Sequence, residues 1–138
     1  MEQYNIETDI QVMFLEAPKF PDDVPNTFTK LEQAILDKSE RRYFGFSRPN
    51  RDGVIQYKAC AEILNEDEEI KFGLKKMTID AGQYASIFIK NHFEDGNNIP
   101  NAFGSLLKHP QLDPNGFCLE IYKNFTDADV LCLVPIIP

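Results

Sequence analysis

The chain has no tryptophan, only two histidines (His92 and His109), and three cysteines that never pair as CxxC. Metal ligands usually arrive closely spaced, and both histidines stand far from Cys60, Cys118 and Cys132, so neither a metal site nor a disulfide framework is expected. Each cysteine lies within an apolar run, which suits a reduced, buried thiol acting as a small hydrophobe. Positive charge is scarce: 14 Lys and Arg against 22 Asp and Glu leave a net charge of −8. Affinity for phosphate backbones needs clustered cations that release counterions, so direct nucleic-acid binding is not expected. No glycine-rich loop could cradle phosphate and no Ser or Cys stands in a nucleophile motif with His, so no cofactor and no nucleophilic residue is assigned. Every apolar run falls short of the ~20 residues of a membrane span. The start, Met1-Glu2-Gln3-Tyr4-Asn5-Ile6-Glu7, lacks the basic and apolar regions of a secretory signal, so no membrane association is expected and the cytoplasm is the expected location.

What is present is the composition of one globular domain, residues 1–138, with 43% hydrophobic and 26% charged residues. The densest charge run, Glu66-Asp67-Glu68-Glu69, reads as a solvated loop.

An internal repeat organises the chain. Val24-Pro25-Asn26-Thr27-Phe28-Thr29-Lys30-Leu31 matches Ile99-Pro100-Asn101-Ala102-Phe103-Gly104-Ser105-Leu106, 75 positions later. The same offset carries Ile10–Leu15 onto Ala85–Lys90, Tyr43–Ser47 onto Cys118–Tyr122 and Ile55–Ala59 onto Val130–Val134, each pair strand-like in apolar content. Each half, about 9–62 and 84–137, therefore reads strand, helix, strand, strand. In the first helix Phe28, Leu31 and Ile35 recur at helical spacing, Pro25 stands early, and Asp22, Asp23 or Asn26 is available as N-cap. The second carries Phe103, Leu106 and Leu107 and ends at His109-Pro110, since the residue before proline avoids helical angles. Arg48–Gly53 supplies a hairpin turn. A further strand, about Lys71 to Ile79, is expected to meet Gln83–Lys90 across the Asp80-Ala81-Gly82 turn. The fold class is α+β: two βαββ units sharing an antiparallel sheet, both helices on one face, with a central ligand cleft where the halves meet.

The strand period of two puts Phe117, Leu119 and Ile121 on one face and Cys118, Glu120 and Tyr122 on the other. In the repeat partner Phe44 and Phe46 match Leu119 and Ile121, so the helices are expected to cover that face. Glu120 then has Gly45 as its counterpart, which leaves room beside a carboxylate where the halves meet. A carboxylate flanked by Cys118 and Tyr122 is costly to desolvate unless something pairs with it, and a cationic or hydrogen-bonding ligand would do so. Of the sixteen Phe and Tyr, Tyr43 and Tyr122 share parity with Glu120 and are the preferred cleft aromatics, with Tyr57 and Phe93 as further candidates.

Taken in order, Tyr43–Asn50, Gly53–Ala59, Ile79–Ala85, Leu112-Asp113-Pro114 and Cys118–Tyr122 resemble the GyrI-like, or bacterial effector-binding, domains over nearly the whole chain. The resemblance implies a duplicated βαββ fold and a cleft that admits small, often aromatic or cationic molecules, with the cleft glutamate falling on Glu120. It further implies a link to transcription regulation, since members occur alone or fused to helix-turn-helix domains. This chain has no room for such a module, so a regulatory role would need a protein partner or act by sequestering the ligand. It also lacks the tryptophan that many such pockets use. Three functions follow: a stand-alone sensor or sequestering module for lipophilic compounds, a small hydrolase using a cleft Glu and Tyr, or a protein-binding inhibitor.

Overall fold

The computed structural model describes residues 1–37 and 39–138. Among the described residues eight strands form one antiparallel sheet: β1 (Glu2–Ile6), β2 (Ile10–Glu16), β3 (Tyr43–Pro49), β4 (Ile55–Glu62), β5 (Lys75–Ile79), β6 (Gly82–Ile89), β7 (Cys118–Tyr122) and β8 (Val130–Pro135). Accompanying them among the described residues are the helices α1 (Val24–Ala34), the short α2 (Glu68–Lys71) and α3 (Asn98–Leu106), with a 3-10 turn at His92–Glu94. The strand order is β1-β6-β8-β7-β3-β4-β2-β5. Each half thus supplies a βαββ unit, and the two units meet where β7 pairs with β3.

That order forces the sheet to curl. β1 and β2 stand six strand spacings apart, roughly 29 Å in a flat sheet, yet only Glu7, Thr8 and Asp9 join them, a reach of about 14 Å from Ile6 to Ile10. β5 and β6 are likewise six spacings apart and joined by Asp80 and Ala81. Both links must cross the seam between the sheet's edges. They are tied there by the Ala81 amide, which donates to the Asp9 carboxylate at 2.8 Å. The inside of the curl is a core of its own, built from Val12, Phe14, Phe44, Phe46, Ile79, Tyr84, Leu119 and Leu133, with Ile121 packed against it.

The helices consequently lie on the opposite face from the one expected. Phe44, Phe46, Leu119 and Ile121 need no helix, because the curled sheet buries them against itself. α1 instead sets Leu31 and Ile35 on Met13, Tyr43, Ala59 and Ala61, and α3 sets Ala102 and Leu106 on Ala85, Val130, Cys132 and Val134. Leu31 and Leu106 are fully buried, each worth about 1.5–3 kcal/mol of transfer free energy. Both helices are on the one face, the face that carries Glu120. Pro25 sits in the first turn of α1, where its missing N–H costs nothing, and Asp23 occupies the N-cap position without a side-chain cap bond.

Two further expectations change, and one strand goes unread in the sequence. The strand placed at Lys71 to Ile79 is shorter and does not pair with its sequence neighbour β6: β5 pairs with β2, while β6 pairs with β1 and β8. β1 carries no alternating pattern, being exposed at four of its five positions, and sequence periodicity passes over it. The acidic run is not a solvated loop. Glu68 and Glu69 are buried in α2, and Glu68 accepts from Arg41 at 3.0 Å and from the Leu64 and Asn65 amides. The buried Arg41 guanidinium is what recruits the carboxylate, and spacing alone does not reveal that pairing.

Candidate functional site

Where the halves meet, Gly45 lies directly opposite Glu120, Tyr43 opposite Tyr122 and Ser47 opposite Cys118. Shifting every residue by 75 positions exchanges the last two pairs and returns the first to itself, so the relation between the halves centres on the Gly45 and Glu120 pair. Gly45 is small for a spatial reason. A Cβ there would overlap the Tyr57 hydroxyl and lie 2.7 Å from Oε1 of Glu120. Through the gap left by that missing side chain, Tyr57 reaches from β4 and donates its hydroxyl to Oε1 at 3.1 Å. Tyr122 donates to the same oxygen at 2.6 Å. Oε2 accepts nothing from the described residues and is not sealed from solvent-accessible space.

Burial raises the Glu120 carboxyl above its ordinary range, and the hydroxyls of Tyr122 and Tyr57 oppose that rise by stabilising the anion. Burial also raises both phenols, with the Glu120 charge adding to it, so they are fixed as hydrogen-bond donors. The thiols are similarly unreactive. Burial pushes Cys118 up to about 11 and Cys60 and Cys132 higher still, all three being free. Among the described residues no cluster of His, Cys, Asp and Glu is placed to hold a metal ion.

Above Tyr122 opens a cavity of about 240 Å³. One wall is the first turn of α1, with Val24, Pro25 and Phe28; the other is the 3-10 turn, with His92 and Phe93; the β7–β8 loop closes a third side with Phe125 and Asp127. Tyr43 and Tyr122 form the floor, and among the described residues no Lys or Arg lines the space. The rings are mutually engaged: Phe28 stands edge-on to both Tyr57 and Tyr122, at 6.1 and 6.2 Å, and Phe125 packs edge-on to Tyr43 at 5.3 Å.

Four of the sequence-chosen residues, Glu120, Tyr122, Tyr43 and Tyr57, gather in one place, and they do so in two layers. Tyr43 and Tyr122 line the cavity, while Glu120 lies behind the Tyr122 hydroxyl and Tyr57 deeper still, 2% exposed and stacked on Phe20 at 5.6 Å. Phe93 is at the mouth, 74% exposed, its ring 4.0 Å from that of His92. Sequence reasoning passes over His92, Phe125 and Asp127. The latter two belong to an irregular loop with no periodicity. Phe28 reads in sequence as a helix core position, yet it sits where α1 overhangs the cavity.

The chain's resemblances can be set beside this geometry. A family described as Cass2, integron-associated effector binding protein, matches residues 3–136. No curated protein matches the sequence. Among solved structures, an integron cassette protein from the mobile metagenome of Vibrio cholerae aligns at a TM-score of 0.66 and 12% identity, covering 99% of this chain and 95% of that one. A protein from Staphylococcus aureus MU50 named for bacterial transcription regulation aligns at 0.62 and 8% identity, covering 99% and 97%. SAV2435, solved bound to tetraphenylphosphonium, aligns at 0.59 and 10% identity, covering 99% and 93%. At such identities the three structures establish the shared fold.

Proposed function

The chain belongs to the Cass2 family of integron-associated effector binding proteins, and from that premise we propose that its cleft takes lipophilic aromatic cations, which the protein senses or sequesters in the cytoplasm. The observation that carries this reading is an aromatic-walled cavity with the Asp127 carboxylate in its wall and the Glu120 carboxylate behind the hydroxyl of its floor residue Tyr122, neither carboxylate having a cationic partner among the described residues. Aromatic faces attract cations through the ring quadrupole, worth about 0.5–2 kcal/mol each, and a half-buried carboxylate without a counter-ion gains most from a ligand that supplies one. The likeness to SAV2435, whose structure holds tetraphenylphosphonium, supports the same class of ligand. Likeness to a protein named for transcription regulation supports a regulatory role, which this chain would exert through a protein partner rather than by contacting DNA, given its charge of −8.

Titration calorimetry with tetraphenylphosphonium and the equally shaped anion tetraphenylborate tests the proposal. The cation should bind and the anion should not. Removing one partner of a desolvated charge pair costs about 2–5 kcal/mol, so Glu120→Gln should weaken the cation at least tenfold. Equal cation affinity in both proteins would remove Glu120 from the site.

One observation favours a second reading, hydrolysis of a reactive electrophile: Glu120, its proton affinity raised by burial, is a general base held in place by the Tyr122 hydroxyl at 2.6 Å and the Tyr57 hydroxyl at 3.1 Å. Mass spectrometry of compounds recovered after incubation separates the two, since a binding protein returns them intact.

A further inference from the structure

The cavity has two carboxylates about it, and they bracket one side chain. Asp127, in its wall, accepts from the Lys123 amide at 3.2 Å, and that amide follows directly on Tyr122, so the Asp127 carboxylate stands at the backbone end of the Tyr122 side chain. Glu120 stands at the other end, where Oε1 accepts from the Tyr122 hydroxyl at 2.6 Å. The two charges are therefore separated by about the length of a tyrosine side chain, with the Tyr122 ring between them on the cavity floor. Both are fixed in place. The second Asp127 oxygen accepts from the Asp129 amide at 3.0 Å, and Oε1 of Glu120 accepts from the Tyr57 hydroxyl as well. The loop that carries Asp127 is itself fastened to the 3-10 turn: the His92 amide donates to the Ala128 carbonyl at 2.7 Å, and the Asn91 amide to the Asp129 carboxylate at 2.8 Å. None of these donors is a cation, and among the described residues no Lys or Arg lines the space or forms an ion pair with either carboxylate.

We propose that this spacing makes the cleft selective for dications: two joined aromatic rings with a positive charge at each end, one charge meeting Asp127 and the other meeting the Tyr122 hydroxyl with Glu120 behind it. The proposal deepens the cation reading above and rests on it. A bound monocation neutralises one carboxylate while its rings displace water from the other, which raises the cost of that unpaired charge. A dication compensates both. Each Asp127 oxygen spends one lone-pair site on an amide, so the carboxylate keeps acceptor capacity toward the cavity. Glu120 does not line the cavity, and its charge acts there through the hydroxyl it polarises. The cavity of about 240 Å³ falls below the ~300–1,000 Å³ of pockets that enclose drug-sized ligands, so a pair of rings is what it encloses whole. In such a pair, charges on the two outermost ring atoms lie about a tyrosine side chain's length apart, which matches the separation of the carboxylates.

The test uses two probes of the same shape, the N-methyl phenylpyridinium monocation and the dimethyl bipyridinium dication, each a para-linked pair of six-membered rings. Calorimetric titration is run at about pH 8, well above the ordinary carboxyl range, and at about 0.15 M salt, which screens the net charge of −8. A second charge about 6 Å from a carboxylate in a partly solvated cleft is worth about threefold to a hundredfold, so the wild type should hold the dication at least about threefold more tightly than the monocation. Asp127→Asn should abolish that preference, and Asp127→Glu, which keeps the charge, should retain it. Asp52→Asn removes a like charge on the β3–β4 hairpin, at the opposite end of β3 from Tyr43, and should leave the preference at its wild-type value. If Asp127 serves only to hold its loop, both affinities fall together in Asp127→Asn and their ratio stays. That result, loss of the preference in Asp52→Asn, or a wild type that binds the monocation as tightly as the dication would overturn this inference alone. A wild type that binds neither probe would overturn the cation reading and this inference with it.

Discussion

Replacing Gly45 by alanine tests the packing argument for the site more sharply than removing any of its side chains. The added methyl would overlap the Tyr57 hydroxyl, with Cζ of that ring 2.8 Å away and Oε1 of Glu120 at 2.7 Å. Tyr57 has nowhere to go: it is buried, stacked on Phe20, and braced edge-on by Phe28. Overpacking of this kind costs about 1–3 kcal/mol. Displacing the hydroxyl from Glu120 also loses a hydrogen bond to a charged group, about 1.5–3 kcal/mol. Gly45 has no left-handed φ, so alanine would itself favour the strand, and that returns about 0.5–1 kcal/mol. The net expectation from these terms is a loss of about 2–5 kcal/mol.

For a chain of this length each kcal/mol lowers Tm by roughly 3–5 °C, so Gly45→Ala should melt at least about 6 °C below the wild type. Urea denaturation of Gly45→Ala, Tyr57→Phe and the double variant completes the test. The phenylalanine ring of Tyr57→Phe lacks the oxygen that the methyl strikes, so the double variant should be more stable than the summed single effects by about 1 kcal/mol or more. A Gly45→Ala protein as stable as the wild type, or strictly additive effects, would refute the reasoning that the glycine exists to admit Tyr57.

Glu120→Gln keeps an acceptor for both hydroxyls and removes a carboxylate whose proton affinity burial has raised, so the empty variant should be more stable than the wild type at neutral pH. That advantage should shrink as pH falls and vanish below the ordinary carboxyl value of 4.5, where both folded and unfolded Glu120 are protonated; a difference in Tm that persists at about pH 3.5 would contradict this. Glu68→Ala would leave the Arg41 guanidinium, 1% exposed, with only the partly exposed Asp37 carboxylate at 3.3 Å and the Glu62 carbonyl at 2.9 Å, and should cost about 2–4 kcal/mol in urea denaturation, short of a fully stranded charge, against less than about 1 if the pair were solvated. Although burial raises Glu68, hydrogen bonds from Arg41 and the Leu64 and Asn65 amides outweigh it and hold the carboxyl below its ordinary value of 4.5, so the wild-type contribution is complete above that value and lost as pH falls through the depressed one. We further propose that residues 1–138 unfold as one unit: β1 pairs with β6 and β5 with β2, so each half lends a strand to the other, and fluorescence and circular dichroism should report a single coincident transition.

The elements that alternate or repeat are legible in the sequence. β3, β4, β7 and β8 announce themselves by apolar content at a constant offset, and the parity of β7 alone puts Glu120 and Tyr122 on one side. What cannot be read is how the strands are joined. An apolar face says that something covers Phe44, Phe46, Leu119 and Ile121, and helices are the nearest candidates. The cover is the sheet itself, because the short β1–β2 and β5–β6 links draw its edges together. With the inner face buried in that way, the helices are left to the face with Glu120, and the cavity opens on that face between α1 and the 3-10 turn. His92, Phe125 and Asp127 are invisible for a different reason, since residues on irregular loops are placed by backbone bonds such as those from His92 and Asn91, and no periodicity encodes these.

The duplication also explains why the site is lopsided. A residue on the centre of a two-fold relation faces its own counterpart, so a glutamate at both positions 45 and 120 would set two carboxylates side by side in direct register. Like charges that close cannot both ionise. The pair therefore has to be unlike, and glycine opposite glutamate is the arrangement that both removes the second charge and opens a passage. The other positions depart from symmetry in step. Tyr57 corresponds to Cys132, Tyr43 to Cys118 and Tyr122 to Ser47, so each tyrosine has a small residue as its counterpart. Had all three counterparts also been tyrosine, the rings would compete for the space around one carboxylate. Restoring symmetry should therefore damage the site. Cys132→Tyr would set a second large ring directly opposite Glu120 on β8, in a position that is fully buried, and should unfold the region rather than duplicate the tyrosine pair. Cys132→Ser, nearly equal in volume, should retain the fold, so a well-folded Cys132→Tyr protein with an enlarged tyrosine cluster would show that the asymmetry is not required by packing.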